Sequence, residues 1–296
     1  MTSITDSQLA GAQVPSALAP VKLSVLLTSH NRRELTLEAL RALHAAVPPH
    51  AVAEVFLTDD GSTDGTSEAV ASEFPDVRII KGDGNLYWNR GMLAAWQAAT
   101  ETQQDFFVWL NDDLAMAPDV LGRMLSAYDN ARARLGEKVV IVGKTVSPTT
   151  QTVTYGAFGI GEGISRLRFR RLRAGEATGR TMNGNLVLLP ARLKDDVGLL
   201  DSRFTHSFGD IDYGLRASDA GYTLIEMETP VGFQEYNVAW ERKLSSITSE
   251  NWRFILFHPK GLPWREWLHF CRRHGGPIWP VNFFVRYLKL VMANYR

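Results

Sequence analysis

The sequence predicts an α/β fold, a mostly parallel sheet flanked by helices with a helical C-terminal extension. Three observations lead there. Short apolar runs recur between residues 21 and 142, segments with apolar residues at helical spacing separate them, and the chain changes character after about residue 240. Alternating strands and helices build βαβ units, whose strands lie parallel with helices on both faces.

Taken in order, residues 21–27 form an apolar run bounded by turn residues, which reads as a buried strand. Ala39, Leu40, Leu43 and Val47 mark the next helix. Strands follow at 54–57 and 77–80. Met92, Ala95, Trp96 and Ala99 share one helical face, and 105–110 is the strongest strand of the series. Leu121, Met124, Leu125 and Tyr128 define a third helix, whose first turn suits Pro118, and 138–142 is another strand. From 145 to about 180, Gly, Thr, Ser and Arg break the pattern into hairpins or a mobile flap. Residues 183–189 read as a strand, and 212–220 as a short helix ended by Gly221.

Composition narrows the function classes. Lys plus Arg and Asp plus Glu each total 32, so no global charge favours nucleic acid or a membrane surface. The single cysteine, Cys271, excludes an intrachain disulfide, fits a reducing compartment and suits packing better than nucleophilic chemistry. Residues 1–20 lack a basic start and a long apolar run, and read as a loose tail rather than a signal peptide. The segment 241–296 is aromatic and basic, and its apolar stretch is too short and too polar to span a bilayer. Packing on the main domain and contact with a membrane surface both remain open for it.

Parallel sheets bind ligands at the carboxyl ends of their strands, so polar residues there are the candidates. After strand 105–110 comes Asn111-Asp-Asp113, where two adjacent carboxylates at a buried edge are costly without a cation. All-oxygen ligands favour Mg2+ or Mn2+. The alternative is that Asp112 and Asp113 cap the following helix. Asp59-Asp-Gly-Ser-Thr-Asp-Gly65 ends the second strand, where a carboxylate can accept from a nucleobase N–H while Ser62 or Asp64 caps a helix. Thr28-Ser-His-Asn-Arg-Arg33 ends the first strand near a helix N-terminus that favours a diphosphate. His30 there is a base or, more simply, a hydrogen-bonded turn residue.

These segments, together with Gly84-Asn-Leu-Tyr-Trp-Asn-Arg-Gly91, Asn183-Gly-Asn185 and Gly209-Asp-Ile-Asp-Tyr-Gly-Leu-Arg216, resemble glycosyltransferase family 2, the inverting enzymes of GT-A fold, over about 21–235. The resemblance implies a domain at 21–240, with a donor half at 21–145 and an acceptor half at 146–240. It implies that Thr28 and Asp59 hold the nucleotide base and that Asn85 and Arg90 line the donor pocket, joined by His30, Arg32, Trp88 and Asp112. Asp113, with Asp112, takes the metal. Asn183, Gly184, Asn185 and Asp212 fall on the acceptor and sugar side, with Asp212 alternatively orienting its helix. Asp210 takes the place of the catalytic base, or else caps that helix. A UDP- or dTDP-linked sugar donor, a glycan or lipid-linked acceptor, no nucleic acid, and a cytoplasmic or inner-membrane peripheral setting follow from the same resemblance.

Chemistry agrees with that division, since inversion needs one carboxylate to take the acceptor's proton and a cation to offset charge on the leaving diphosphate. Two departures stand out. Asn111 replaces the first acid of the usual Asp-x-Asp metal motif, and 231–236 lacks the His that completes the metal site in many relatives, leaving Glu235 or His206 as substitutes. The basic run 166–173 suits either a solvated face or a flap closing over a diphosphate. A sugar nucleotidyltransferase is disfavoured because 28–33 holds no glycine for a phosphate loop. A non-catalytic nucleotide-sugar-binding protein would have no need of both Asp113 and Asp210.

Overall fold

The computed structural model describes residues 19–236 and 248–293. The tail expected over 1–20 falls almost wholly outside these residues, as does the boundary expected near 240. Strands β1 (Val21–Ser29), β2 (Ala51–Asp59), β3 (Arg78–Lys81), β4 (Phe106–Leu110), β5 (Val139–Val142), β6 (Thr178–Gly179), β7 (Leu186–Pro190) and β8 (Thr223–Glu226) form one eight-stranded sheet. Its order is β6-β8-β5-β7-β4-β1-β2-β3. β1 pairs in parallel with both β2 and β4, and β8 with β5, whereas β7 runs antiparallel between β4 and β5.

Helices α1 (Arg33–Ala46), α2 (Thr66–Glu73), α3 (Tyr87–Ala99), α4 (Val120–Leu135), α5 (Leu193–Val197) and α6 (Gly209–Asp219) cover the sheet. Alternation along β1 sends Val25 and Leu27 to one face, where Leu40 of α1 and Met124 of α4 bury them. Leu26 points the other way, onto Trp96 of α3 and Tyr213 of α6. Both faces are therefore apolar, which is why the strands read as continuous apolar runs.

Two expectations need correction. α4 starts at Val120, with Asp119 at its cap position, so Pro118 lies ahead of the helix and neither Asp112 nor Asp113 caps it. At the start of α1, the site expected for an anion is filled from within, because the Asp64 carboxylate accepts the Arg33 N–H at 3.0 Å. The stretch 145–180 does form hairpins. Its strand Ala157–Ile160 pairs antiparallel with Phe169–Arg171 and with Thr181–Met182. Within the basic run, Arg170 pairs with Glu176 and Arg171 stacks 4.3 Å above the Phe158 ring.

Helices α7 (Ser249–Phe257), α8 (Trp264–His274) and α9 (Trp279–Ala293) make up the described C-terminal part. Ile255, Leu262, Trp267, Phe270 and Cys271 pack with Phe204 and Leu215 of the main domain in a third core cluster. Cys271 is buried, and burial pushes its thiol up to about 12, as expected of a packing residue. Ion pairs clamp the same contact. Arg273 reaches both Asp201 and Asp212 at 2.8 Å, His269 meets Asp201 at 3.0 Å, and His274 meets Asp212 at 2.8 Å. The extension thus packs on the domain, while α9 leaves Val281, Phe284, Leu288 and Met292 exposed.

Candidate active site

β1 lies between β2 and β4, so the connections leaving its carboxyl end and those of its neighbours diverge to opposite sides and open a crevice. Antiparallel β7 adds a second supply of polar groups. Leu186, its first residue, pairs with Leu110, the last of β4, so Asn183, Gly184 and Asn185 arrive at the same edge from the opposite direction.

At the end of β4, Asp112 is buried and Asp113 partly open. One Arg32 nitrogen bridges them, at 2.9 Å from Asp112 Oδ1 and 3.0 Å from Asp113 Oδ2. Burial pushes the Asp112 carboxyl up to about 6, opposed by the Arg32 charge and reinforced by Asp113. Its Oδ2 is buried with no hydrogen-bond partner. Gln234 completes the cluster, donating through its side-chain amide to Asp113 Oδ1 and accepting from Asn185 Nδ2 at 2.7 Å. Sequence reasoning missed Gln234, one residue from the Glu235 considered. Glu235 itself accepts from the Thr149 and Ser147 hydroxyls, away from the aspartates. Asn111 has a structural task, since its side-chain oxygen accepts the Trp88 indole N–H at 2.8 Å.

A divalent cation fits this cluster. The donors are hard oxygens, and the orphaned Asp112 oxygen lacks the partner a buried carboxylate requires. Among the described residues no group of three His, Cys, Asp or Glu surrounds a metal position. Two carboxylates with phosphate oxygens are nevertheless a sufficient set for Mg2+ or Mn2+.

Asp210 occupies the first turn of α6. Phe208, not Asp210, holds the cap position, so the capping alternative does not apply. The Asp210 carboxylate accepts from the N–H of Ile211 at 2.7 Å, the N–H of Gly184 at 3.1 Å and the Asn183 amide at 3.5 Å. Burial raises its proton affinity, and these hydrogen bonds only partly offset the rise. Gly209 allows the approach, because a Cβ there would lie 1.8 Å from the Asn89 side-chain oxygen.

Asp59 is buried, accepting from the Ser62 N–H at 2.9 Å and from the Ser67 hydroxyl. Burial lifts its carboxyl, but the bonds from Ser62 and Ser67 outweigh that and hold it below the ordinary range. Asp60, not singled out in the sequence, accepts the N–H groups of Gly84 and Tyr87, each at 2.9 Å, and thereby shapes the loop entering α3. Thr28 packs against Gly91, and Asn85 is exposed beside Asp83. His30 is the turn residue, its Nδ1 2.6 Å from the Asp60 carbonyl. Two expected site residues point elsewhere. Arg90 donates to the Ser202 carbonyl at 3.0 Å, and Asp212 is fully buried among Arg216, Arg273 and His274, with no edge left for an acceptor. Asn31, Tyr87, Gln151 and Phe208, with φ of 52°, 54°, 58° and 70°, are left-handed; Asn31 lies in the loop that follows β1, and Tyr87 opens α3 after β3. Such backbone costs about 1–3 kcal/mol per residue and concentrates at functional sites.

A family profile described as Glycosyl transferase family 2 matches residues 24–178. The N-acetylglucosaminyl-diphospho-decaprenol L-rhamnosyltransferase of Mycobacterium tuberculosis is 24% identical over 189 residues, 57% of this chain and 62% of that protein, so the chain spans less than two thirds of that relative. Among solved structures, S. aureus TarS 1–349 superposes with a TM-score of 0.54 at 15% identity, covering 76% of this chain and 64% of that one. The mannosyltransferase PcManGT from Pyrobaculum calidifontis, solved with GDP-Man and Mn2+, gives 0.52 at 16% identity over 87% and 64%.

Proposed function

The chain belongs to glycosyl transferase family 2, and from that membership we propose that it transfers a sugar, with inversion, from a nucleoside-diphosphate sugar to a hydroxyl of a glycan or lipid-linked acceptor. One observation carries the proposal. The tripeptide 183–185 touches both acidic centres, Gly184 and Asn183 holding Asp210 while Asn185 reaches Asp113 through Gln234. The proposed base and the proposed phosphate-end cluster thus border one short segment, which supports a reading of in-line displacement.

Asp210 takes the proton of the acceptor hydroxyl as its oxygen bonds to the anomeric carbon and the bond from that carbon to the diphosphate breaks. Its raised proton affinity suits a proton acceptor. Asp112 and Asp113 would hold a divalent cation, which supplies charge stabilisation to the departing diphosphate. Arg32, already on both carboxylates, adds a fixed positive charge at the same end. Thr28 and Asp59 form the floor for the base, Trp88 the wall beside Asn111, and Asn183–Asn185 the acceptor side. UDP or dTDP is the favoured nucleotide. UDP and UDP-GlcNAc are bound by TarS in its solved complexes.

The acceptor is lipid-linked on this proposal, in line with the diphospho-decaprenol in the relative's name. The exposed stripe of α9 supports a peripheral seat on an anionic membrane, because Arg286 and Lys289 lie on the same helix and no Asp or Glu occurs from 267 to 296. No helix among the described residues is long and apolar enough to cross a bilayer. The test is a nucleotide-release screen across UDP-, dTDP- and GDP-sugars, with and without Mn2+. Release from at least one donor, lost on chelation, is the expected result. Inertness towards every donor would remove the proposal.

A further inference from the structure

The turn between α7 and α8 reaches the crevice. Its His258 ring stands edge-on to Tyr87 at 5.9 Å, and Tyr87 stands edge-on to His206 at 6.1 Å. Hydrogen bonds hold this turn. Ser207 donates to the Pro259 carbonyl at 3.3 Å, the Lys260 N–H donates to His258 Nδ1 at 3.1 Å, and the Leu262 N–H returns to the Ile255 carbonyl at 2.7 Å. Gly261 makes the return possible, since a Cβ there would lie 2.6 Å from the Phe254 carbonyl.

The turn brings the charge of Lys260 within reach of His206 and of Arg32. Burial, then the charges of Lys260, His258 and Arg32, push His206 down to about 4, so it is neutral, and its Nδ1 is buried with no partner. Burial and the Arg32 charge also lower the Lys260 ammonium. Arg32 has two carboxylates to balance it, whereas Lys260 has no acidic partner among the described residues. Lys260 therefore carries a charge with no acid paired to it among the described residues, on a turn bonded to Ser207, the neighbour in sequence of His206 and its unpartnered nitrogen.

We propose that Lys260 and His206 form a phosphate-binding element, supplied by the C-terminal extension, that grips phosphoryl oxygens at the mouth of the crevice. The inference rests on the nucleotide-sugar proposal. Two sources carry the same chemistry, the donor's diphosphate and a diphosphate on a lipid-linked acceptor. Lys260 lies outside the matched segment 24–178, so the extension contributes to binding as well as to packing.

Calorimetric titration of the full chain in Mn2+ separates the sources, with uridine, UDP and farnesyl diphosphate as probes and Lys260→Met and Lys260→Arg as variants. Lys260→Met is expected to weaken one diphosphate probe about tenfold, the scale of a charge-assisted contact, and to leave uridine unchanged. Lys260→Arg should recover most of the loss. A loss confined to UDP assigns the element to the donor, and one confined to farnesyl diphosphate assigns it to the acceptor. Unchanged affinity for both diphosphates in Lys260→Met, with wild-type binding intact, overturns the inference alone. Failure of the wild-type chain to bind UDP, dTDP or GDP overturns it together with the nucleotide-sugar proposal.

Discussion

Two residues apart on α6, Asp210 and Asp212 have their proton affinities pushed in opposite directions. Burial dominates at Asp210, where the donors are neutral amides, and raises it. At Asp212 burial is outweighed by His274, Arg216 and Arg273, and the carboxyl is held down to about 2. Asp210→Asn should lower turnover on the order of 10²–10⁴-fold while leaving the donor dissociation constant within about twofold, read by turnover assay and titration. Loss of donor binding in that variant would count against the base role. Asp212 bears on stability instead. Because its folded-state value lies below the ordinary 3.8, its contribution is complete above that pH and disappears as pH falls from about 4 to about 2. The amount is about 2 kcal/mol, and Arg273→Met, which leaves a buried carboxylate short of one cation, should cost on the order of 3 kcal/mol in denaturant unfolding. The acid limb of the wild-type stability curve should flatten in Asp212→Asn.

Asp112 and Asp113 stood out in the sequence because adjacent carboxylates at a buried strand end need a partner, and Asp210 stood out through the resemblance of 209–216 to the family's motif. Gln234 and Arg273 were not visible. Their acidic partners lie 121 and 61 positions away, and neither residue type signals such a contact.

At the scale of elements, apolar runs identified β1 to β5 because both faces of the sheet are covered. The two-residue strand β6 left no pattern. Antiparallel β7 was read as a strand, but its direction was not, and direction is what brings residues 183–185 to the active edge. For strands parallel to β1, polar residues follow the strand, whereas for β7 they precede it. The apolar stretch that forms α9 was legible, but its division into a packed face and a free one required the third core cluster. Phe284→Ser with Leu288→Ser is expected to abolish cosedimentation with phosphatidylglycerol vesicles and leave the thermal midpoint unchanged, since both side chains are exposed. Equal binding of wild type to phosphatidylcholine vesicles would remove the charge argument, and a concentration-dependent dimer in its place would assign the stripe to a second copy.

For the whole molecule, the extension is welded to the segment 201–212, which contains the proposed base, Asp210. Asn89 adds to this from the donor side, donating to the carbonyls of Asp201 and Phe204 at 2.9 and 2.7 Å. Truncation after residue 247 should therefore disturb the main domain itself. It would expose Phe204 and Leu215, leave Asp201 and Asp212 without Arg273, and lower solubility and turnover together, as measured by sedimentation and sugar transfer. A truncated chain that stays monomeric and fully active on a soluble acceptor would show that the clamp is dispensable. Net charge gave no hint of this arrangement, because the basic residues of the extension are balanced by acids elsewhere in a chain of formal charge zero.

The clamp of Arg273 across Asp201 and Asp212 also sets the unit in which this chain could be recombined with another. A crossover at residue 240 would splice a foreign extension onto two unmatched aspartates. A crossover near 200 would carry the aspartates, the base and the extension as one inherited block, and the sheet edge at 110–113 could then accept blocks tuned to different acceptors.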